Sequence, residues 1–168
     1  MVSVTLLTSA LRFSVRGDRD AAELVGRAFG VPLPRDVCQS AEGGRRAALW
    51  LGPDEWLLIA AAGEADALMR DMEGALDGAP ASLVDISDRQ VGIDVTGPEA
   101  AEAINGFNAL NLDSQAFPVG MCTRTIFGKA EIVLWRTAPD RFRIEAWLSF
   151  APYVLGCLEE ATREYRAE

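Results

Sequence analysis

The chain has 168 residues, of which 49% are hydrophobic and 24% are charged, and its formal net charge is −9. This length suits one large domain or a tightly fused pair of small ones. The negative charge is spread over both halves of the chain and disfavours nucleic acid as a ligand, because phosphates attract clustered Lys and Arg. No run of about 18 apolar residues is present, so we expect no membrane-spanning helix.

The N-terminal segment and the cysteines together predict a cytoplasmic location. No basic residue precedes the apolar start of the chain, which disfavours a secretory signal. Cys38, Cys122 and Cys157 are odd in number and far apart. We therefore expect no disulfide framework, and three free thiols suit a reducing compartment.

In the first half of the chain, the hydrophobic pattern predicts three strands and two helices. The second helix has an apolar face at helical spacing, formed by Ala65, Leu68, Met69, Met72 and Leu76. The predicted strands lie near Leu11–Val15, Ala47–Leu51 and Trp56–Ala60, and the predicted helices lie near Asp20–Phe29 and Glu64–Leu76.

The second half is predicted to contain four strands and two helices. Pro98 and Pro152 occupy places where the first turn of a helix tolerates a residue without an N–H. Gly128 lies between two apolar runs, as expected of a tight hairpin turn. The predicted strands lie near Gln90–Val95, Met121–Phe127, Ala130–Arg136 and Arg141–Leu148, and the predicted helices lie near Pro98–Asn105 and Pro152–Tyr165.

The two halves share a pattern that predicts an internal duplication. The strand and turn that end at Gly17 resemble those that end at Gly97, and the turn at Pro53-Asp54 resembles the turn at Pro139-Asp140. The apolar face of the earlier helix recurs, at the same shift as the Pro-Asp turn, as Ala151, Val154, Leu155, Leu158 and Thr162. We therefore predict a single domain, residues 1–168, made of two repeated halves of about 1–80 and 81–168.

Short strands, tight turns and returning helices predict an α+β fold. Duplicated strand–helix–strand units are expected to form antiparallel sheets with helices packed on one side. The strands are apolar on both faces, since Ile132 and Leu134 oppose Val133 and Trp135. Helices on one side of a sheet leave its second side uncovered. Either the other half of the chain or a partner protein must therefore cover that side.

The sequence offers little catalytic chemistry. It contains no histidine, which excludes Ser-His-Asp and Cys-His sites within the chain and removes the commonest general base and metal ligand. The cysteines lack the Cys-x-x-Cys spacing of zinc sites, and neither a dinucleotide-binding glycine loop nor a P-loop is present. We therefore predict no catalytic, cofactor-binding or metal-binding residue in this chain.

The densest polar cluster is Asp85-Ile86-Ser87-Asp88-Arg89-Gln90. A functional interpretation pairs the carboxylates of Asp85 and Asp88 for acid–base chemistry, with Arg89 holding an anionic ligand. A structural interpretation makes these residues the solvated border of the strand that begins near Gln90. The structural interpretation is favoured, because no histidine or cofactor motif accompanies the cluster.

Two smaller polar features have a structural interpretation as well. Glu131, inside an otherwise apolar strand, is typical of a charge at a sheet edge that discourages aggregation. The segment Glu42-Gly43-Gly44-Arg45-Arg46 is interpreted as a charged glycine turn, with anion binding as the less favoured alternative.

The four tryptophans, Trp50, Trp56, Trp135 and Trp147, all lie on predicted strands. Trp56 takes the place of Phe142 in the repeat, which predicts a core position. Trp135 and Trp147 are less constrained and are candidate interface anchors, because partly exposed aromatic residues dominate binding hot spots.

Four segments, taken in order, resemble a known superfamily. They are Leu51-Gly52-Pro53-Asp54-Glu55-Trp56-Leu57-Leu58, Asp85-Ile86-Ser87, Val95-Thr96-Gly97-Pro98-Glu99-Ala100 and Leu110-Asn111-Leu112-Asp113. Their order and spacing are similar to those of the folate-binding aminomethyltransferases. The short chain and the Gly-Pro-Asp-Glu-Trp block most resemble the gamma-subunit family of heterotetrameric sarcosine oxidases. Folate-binding members open a strand with Gly and an Asp-Asp pair, whereas Gly128-Lys129-Ala130-Glu131 keeps one acid, so no site residue is carried over.

The resemblance implies a non-catalytic gamma subunit that acts in assembly and stabilisation. The implied complex would convert sarcosine by oxidative demethylation to glycine, with hydrogen peroxide and formaldehyde or methylene-tetrahydrofolate as further products. Its alpha and beta subunits are the expected partners, with delta as a further candidate. FAD, FMN, NAD and tetrahydrofolate would be carried by those other subunits. Whether this chain takes any part in catalysis stays open.

Two alternatives to the subunit role remain. One is a stand-alone tetrahydrofolate-binding, aminomethyltransferase-like domain with Glu131 or Asp85 as its polar anchor. The other is a homodimer with a purely structural role.

Overall fold

Ten strands and four α-helices make up the part of the chain that the computed structural model describes, residues 1–7 and 9–165. Two short 3-10 turns, Leu148–Phe150 and Arg163–Tyr165, flank the last helix. In chain order the elements are β1 Ser3–Leu7, β2 Ala10–Gly17, α1 Arg19–Phe29, β3 Ser40–Gly43, β4 Arg46–Gly52, β5 Glu55–Ala61, α2 Ala65–Ala75, β6 Ala81–Asp85, β7 Gln90–Thr96, α3 Ala100–Asn105, β8 Cys122–Phe127, β9 Ala130–Ala138, β10 Arg141–Trp147 and α4 Ala151–Ala161.

The strands form two five-stranded antiparallel sheets, and backbone contacts divide the chain into two units. The first unit is Ser9–Ser87, and its sheet has the order β3-β4-β5-β2-β6. The second unit is Met1–Thr8 with Asp88–Glu168, and its sheet has the order β1-β7-β10-β9-β8. The predicted α+β fold with antiparallel sheets is therefore confirmed.

In each unit the helices pack on one face of the sheet, as predicted. Burial of apolar side chains between helix and sheet drives this packing, at about 25 cal/mol per Å² removed from water. The first unit buries Phe13, Val15, Val25, Phe29, Leu58, Leu68 and Met72 in this way. The second unit buries Ile93, Val95, Ile104, Leu134, Phe142, Val154 and Leu158.

Helix α1 shows why the local sequence forms these elements. Asp18 caps its first turn, because the carboxylate accepts a hydrogen bond from the backbone N–H of Ala21 at 2.9 Å. Gly30 ends the helix with a φ of 80°, a left-handed conformation that glycine adopts without strain. Between these two signals the buried residues Ala22, Val25 and Phe29 lie on one face.

The predicted correspondence between the halves is matched by equivalent hydrogen bonds. In the first unit the N–H of Gly17 donates to the carbonyl of Asp54 at 3.1 Å. In the second unit the N–H of Gly97 donates to the carbonyl of Asp140 at 2.9 Å. The Pro53-Asp54 turn joins β4 to β5, and the Pro139-Asp140 turn joins β9 to β10. In both hairpins the strand pairing shifts register close to the turn. The turn and the strand that follows it were therefore predicted correctly in both halves.

Three of the observed strands were not predicted from the sequence. Strands β1, β3 and β6 are short and only partly buried, so their hydrophobic alternation is weak. Strand β1 pairs with β7, whereas β6 pairs with β2. Strand β1, at the start of the first half, thus belongs to the sheet of the second unit. Strand β6, at the start of the second half, belongs to the sheet of the first unit. Hydrogen bonds tie β6 to the first unit, whose last residue is Ser87, and the repeated halves of about 1–80 and 81–168 stay a prediction.

The remaining differences concern element ends. Helix α4 ends at Ala161 rather than at Tyr165, and the hydroxyl of Thr162 bonds back to the carbonyl of Leu158 at 2.8 Å. Such a bond competes with helix continuation. Strand β10 ends at Trp147, and α3 begins at Ala100 rather than at Pro98. Among the residues described, no helix combines the length and hydropathy that crossing a membrane requires.

The second faces of both sheets are also buried. Leu49 and Leu57 in the first unit are 0% and 2% exposed, and Val133 and Trp135 in the second unit are each 4% exposed. These exposed fractions refer to the single chain without a partner.

Candidate interaction surface

The predicted polar cluster serves the backbone around it. Asp85 ends β6, and its carboxylate accepts hydrogen bonds from the backbone N–H and the hydroxyl of Ser87, at 2.8 and 2.6 Å. The same hydroxyl accepts a hydrogen bond from the backbone N–H of Arg12 at 3.0 Å. Asp85 therefore closes a local turn at the end of its strand, in agreement with the structural interpretation.

Glu131 lies exposed on β9, one strand inside the edge that β8 forms. Its carboxylate is 3.7 Å from Nε of Arg124 on β8. The prediction that Glu131 lies at a sheet edge was therefore wrong, because β8 is the edge strand and β9 is its neighbour. An exposed ion pair of this kind contributes about 0–1 kcal/mol to stability. It is also a poor anchor for a small ligand, since small-ligand sites bury most of the ligand surface.

The glycine turn is the hairpin between β3 and β4. Gly44 has a φ of 61°, and Gly43 pairs with Arg46. The guanidinium of Arg46 donates to the carbonyl of Phe29 at 2.6 Å and to the carboxylate of Glu64 at 2.9 Å. Arg46 is therefore committed to contacts inside the first unit, which agrees with the structural interpretation over anion binding.

A groove of about 580 Å³ runs beside α1 in the first unit. Gly26 and Pro32 contribute to its lining, and Arg27 and Arg35 provide its positive charge. Both arginines form ion pairs with Glu23. The groove therefore presents a partly neutralised rim rather than a free cationic site.

The tryptophans differ in burial, and Trp50 is half-buried. Trp56 is 3% exposed and belongs to the core of the first unit, as predicted, and its indole N–H donates to the carbonyl of Pro34 at 2.7 Å. Trp135 is 4% exposed, so it is no longer a candidate for an interface anchor. It lies in the middle of β9, between two neighbouring strands. Trp147, the last residue of β10, is 42% exposed and keeps that candidate role.

Trp147 begins a run of exposed apolar side chains in the second unit. We call Trp147, Leu148, Phe150 and Tyr153 the aromatic ridge; they are 42%, 58%, 38% and 38% exposed. The ring centroids of Trp147 and Phe150 are 6.1 Å apart. Large apolar residues grouped in this way on a surface are typical of interaction sites, whereas single exposed ones need no explanation.

Hydrogen bonds hold the ridge in place at both ends. At its start, the N–H of Leu148 donates to the carbonyl of Arg89 at 2.8 Å. At its end, the hydroxyl of Tyr153 accepts a hydrogen bond from the backbone N–H of Lys129 at 3.1 Å. A hydrogen bond with Cys157, helped by desolvation, raises the pKa of Tyr153. The phenol therefore stays neutral under physiological conditions.

Two basic side chains border the ridge. The guanidinium of Arg89 lies over the ring of Trp147, 5.6 Å from its centroid, and Lys129 follows Gly128 in the β8–β9 hairpin turn. Both residues are exposed. Within residues 1–7 and 9–165, neither side chain has a carboxylate partner. The border of the ridge thus carries two cations without carboxylate partners among the described residues, in a chain whose net charge is −9.

Sequence reasoning found Trp147 and missed the rest of the ridge. The signal was present in the repeat, because the alignment of Pro53 with Pro139 also sets Ala61, Ala62 and Glu64 against Trp147, Leu148 and Phe150. Positions that hold small and polar residues in the first half thus hold large apolar residues in the second half. Arg89, which only the less favoured functional interpretation paired with an anionic ligand, lies over the indole ring of Trp147.

Residues 16–164, most of the chain, match one family, described as the sarcosine oxidase, gamma subunit family. The chain belongs to this family. Sarcosine oxidase subunit gamma of Corynebacterium sp. (strain U-96) is 34% identical over 141 residues, which cover 83% of this chain and 68% of that relative. The predicted resemblance is therefore confirmed.

Two solved structures show how the family fold is related to others. The heterotetrameric sarcosine oxidase from Corynebacterium sp. U-96, in complex with pyrrole 2-carboxylate, contains a chain that superimposes with a TM-score of 0.93 and 28% identity. The match covers 99% of this chain and 86% of that one. Aminomethyltransferase T of the glycine cleavage system from Bartonella henselae matches with a TM-score of 0.74 and 18% identity, over 96% of this chain and 46% of its own. The second likeness concerns the fold alone.

Proposed function

We propose that the chain is the non-catalytic gamma subunit of a heterotetrameric sarcosine oxidase, and that it acts in assembly and stabilisation of that complex. The observation that carries this proposal is the superposition, over 99% of the chain, on a chain of the heterotetrameric enzyme at a TM-score of 0.93. Membership of the gamma subunit family supports the same role.

The side-chain inventory supports a role in contact rather than in reaction. The sequence contains no histidine, and the carboxylates that sequence reasoning singled out are engaged locally or exposed. Among the residues that the structure describes, no three His, Cys, Asp or Glu side chains lie close enough together to hold a metal ion. The exposed aromatic ridge, in contrast, is the kind of surface that proteins use for association.

The partners and cofactors follow from the proposed complex. The alpha and beta subunits, and delta where the complex has one, are the proposed partners, and they would carry FAD, FMN, NAD and tetrahydrofolate. The complex would demethylate sarcosine oxidatively to glycine. A cytoplasmic location belongs to the same proposal, because Cys38, Cys122 and Cys157 are free thiols, as suits a reducing compartment.

Coexpression tests the subunit role directly. The full chain is produced together with the flavoprotein subunits from the same organism, and the other subunits are also produced without it. We expect the chain to copurify in a fixed ratio with the other subunits. We also expect the complex that lacks it to lose activity faster on warming, since binding stabilises the bound partners. A chain that passes through the purification alone, with an equally durable complex left behind, would refute the proposal.

A ligand titration distinguishes the stand-alone folate-binding alternative from the proposed subunit role. Tetrahydrofolate is added to the isolated chain and binding is followed by calorimetry. We expect no saturable binding, because the proposed polar anchor Glu131 is exposed beside Arg124. A dissociation constant near 1 μM, about −8 kcal/mol, that is lost in Glu131→Ala would favour the alternative.

A further inference from the structure

We propose that the aromatic ridge docks on another subunit of the oxidase, at an apolar depression bordered by Asp and Glu side chains. Arg89 and Lys129 at the border of the ridge would meet those carboxylates. This inference rests on the proposed subunit role and adds to it the surface used and the chemistry of the partner.

The repeat shows that the fold itself does not need the ridge. Strand β5 and helix α2 of the first unit correspond to β10 and α4 of the second. The end of β5 and its connection to α2 are formed by Ala61, Ala62, Gly63 and Glu64 in the first unit. An equivalent turn is therefore made with small and polar residues, and Glu64 precedes α2 at the position where Phe150 precedes α4. Large exposed apolar side chains in the second unit call for a reason other than folding.

The ridge is also ordered before any partner arrives. The ring of Trp147 contacts both the ring of Phe150, at 6.1 Å between centroids, and the guanidinium of Arg89, at 5.6 Å from the indole centroid. Tyr153 is tied to the hairpin backbone at Lys129. Side chains held in this way lose little conformational freedom on binding. Trp, Tyr and Arg are also the residues most enriched in binding hot spots.

Charge decides which partner fits. Within the described part of the chain, Arg89 and Lys129 have no carboxylate partners. In a symmetric self-contact, each surface meets its own copy. The two positive borders would then face each other, and each chain would carry its net charge of −9. A surface with exposed carboxylates around an apolar centre complements the ridge, which favours a different subunit over a second copy.

Binding kinetics of the full chain test this inference. The remaining subunits are coexpressed without the chain, immobilised, and exposed to variants at low and high salt. The ridge variant is Trp147→Ala/Leu148→Ala/Phe150→Glu, which installs the residues of the first unit and keeps Ser149. The charge variant is Arg89→Glu/Lys129→Glu. The control is Arg45→Glu, an exposed cation at the equivalent turn of the first unit, between β3 and β4.

The ridge variant should bind about 30-fold more weakly or worse, mainly through faster dissociation. The charge variant should associate about 10-fold more slowly at low salt, and its rate should depend less on salt than that of the wild type. The control variant should behave like the wild type. Thermal unfolding of each variant is measured beside binding, and the charge variant decides the question if the ridge variant does not fold, because both of its side chains are exposed.

The remaining outcomes separate this inference from the proposed function. If the wild type binds and both variants bind equally well, the ridge is not the docking surface, although the subunit role stands. If the wild type binds none of the subunits, both proposals fail. If sedimentation shows a homodimer that the ridge variant abolishes while subunit binding is unchanged, the occupant is a second copy and the inference is overturned.

Discussion

The two units share one strand order but differ in the connection between the first helix and the next strand. In the first unit α1 has 11 residues and leads to β3. In the second unit α3 has 6 residues, and a longer irregular segment leads to β8. The buried guanidinium of Arg136 holds that segment through the carbonyls of Leu112 and Phe117, at 3.2 and 2.9 Å. The comparison shows that one sheet framework accepts quite different connections, provided that buried backbone groups find partners.

The largest effects are expected at equivalent core positions. Met72 on α2 and Leu158 on α4 are both 0% exposed. Met72→Ala and Leu158→Ala should each lower the free energy of unfolding by about 2–5 kcal/mol, because each leaves a cavity in a packed core. Urea denaturation measures both. A loss below about 1 kcal/mol at one position would break the equivalence of the two helices.

Arg136 tests the connection that is particular to the second unit. Arg136→Met keeps the apolar volume and removes the donors to Leu112, Phe117 and Pro139. We expect a loss of about 2–3 kcal/mol, because buried carbonyl groups lose their partners. Arg136→Lys serves as a control and should recover only part of the loss, since an ammonium cannot reproduce the guanidinium fork. Wild-type stability for Arg136→Met in a urea titration would contradict this account.

Gly97 and Gly17 occupy equivalent turns with different backbone geometry. Gly97 has a φ of 135°, and a Cβ there would collide with the carbonyl oxygen of Met1. Gly97→Ala should therefore cost about 1–3 kcal/mol. Gly17 has no positive φ, and its added Cβ would lie 2.9 Å from the Cβ of Ala21. Gly17→Ala should cost about 1 kcal/mol. A loss for Gly97→Ala that is no larger than the loss for Gly17→Ala in denaturant unfolding would show that the carbonyl of Met1 does not crowd residue 97.

The smallest effect is a titration that reports on the second unit alone. The chain has two tyrosines, Tyr153 and Tyr165, and both lie there. A hydrogen bond with Cys157 raises the pKa of Tyr153, and desolvation raises the pKa of Tyr165. A raised tyrosine pKa favours the neutral phenol in the folded state. Its stabilising effect is therefore complete below the ordinary value of 10.0 and is lost as the pH rises through the folded pKa.

Phenolate absorbance measures this shift. Both tyrosines should ionise above pH 10.0 in the folded chain, and Tyr153→Phe should leave a single transition from Tyr165. Ionisation at or below the ordinary value in the folded chain would show that these contacts do not form. The same titration on the unfolded chain provides the reference.

Much of the framework could be predicted because local patterns encode it. The face formed by Leu68 and Met72 has helical spacing, and the turn at Pro139-Asp140 has turn chemistry, so each was visible in a short window of sequence. The resemblance to the gamma subunit family was likewise carried by segments such as the Gly-Pro-Asp-Glu-Trp block. The short edge strands were missed, because a strand of 4 or 5 half-exposed residues depends on its neighbour for hydrogen bonds.

The sequence alone thus determined the repeated strand-and-helix pattern, the absence of histidine chemistry within these residues and the family. The tertiary structure alone decided which sheet each leading strand joins, since pairing of β1 with β7 and of β6 with β2 is a contact between residues far apart in the chain. It also decided that Trp135 is buried and Trp147 is exposed. Both residues lie on apolar strands, and exposure depends on what packs over a side chain, which no local pattern records.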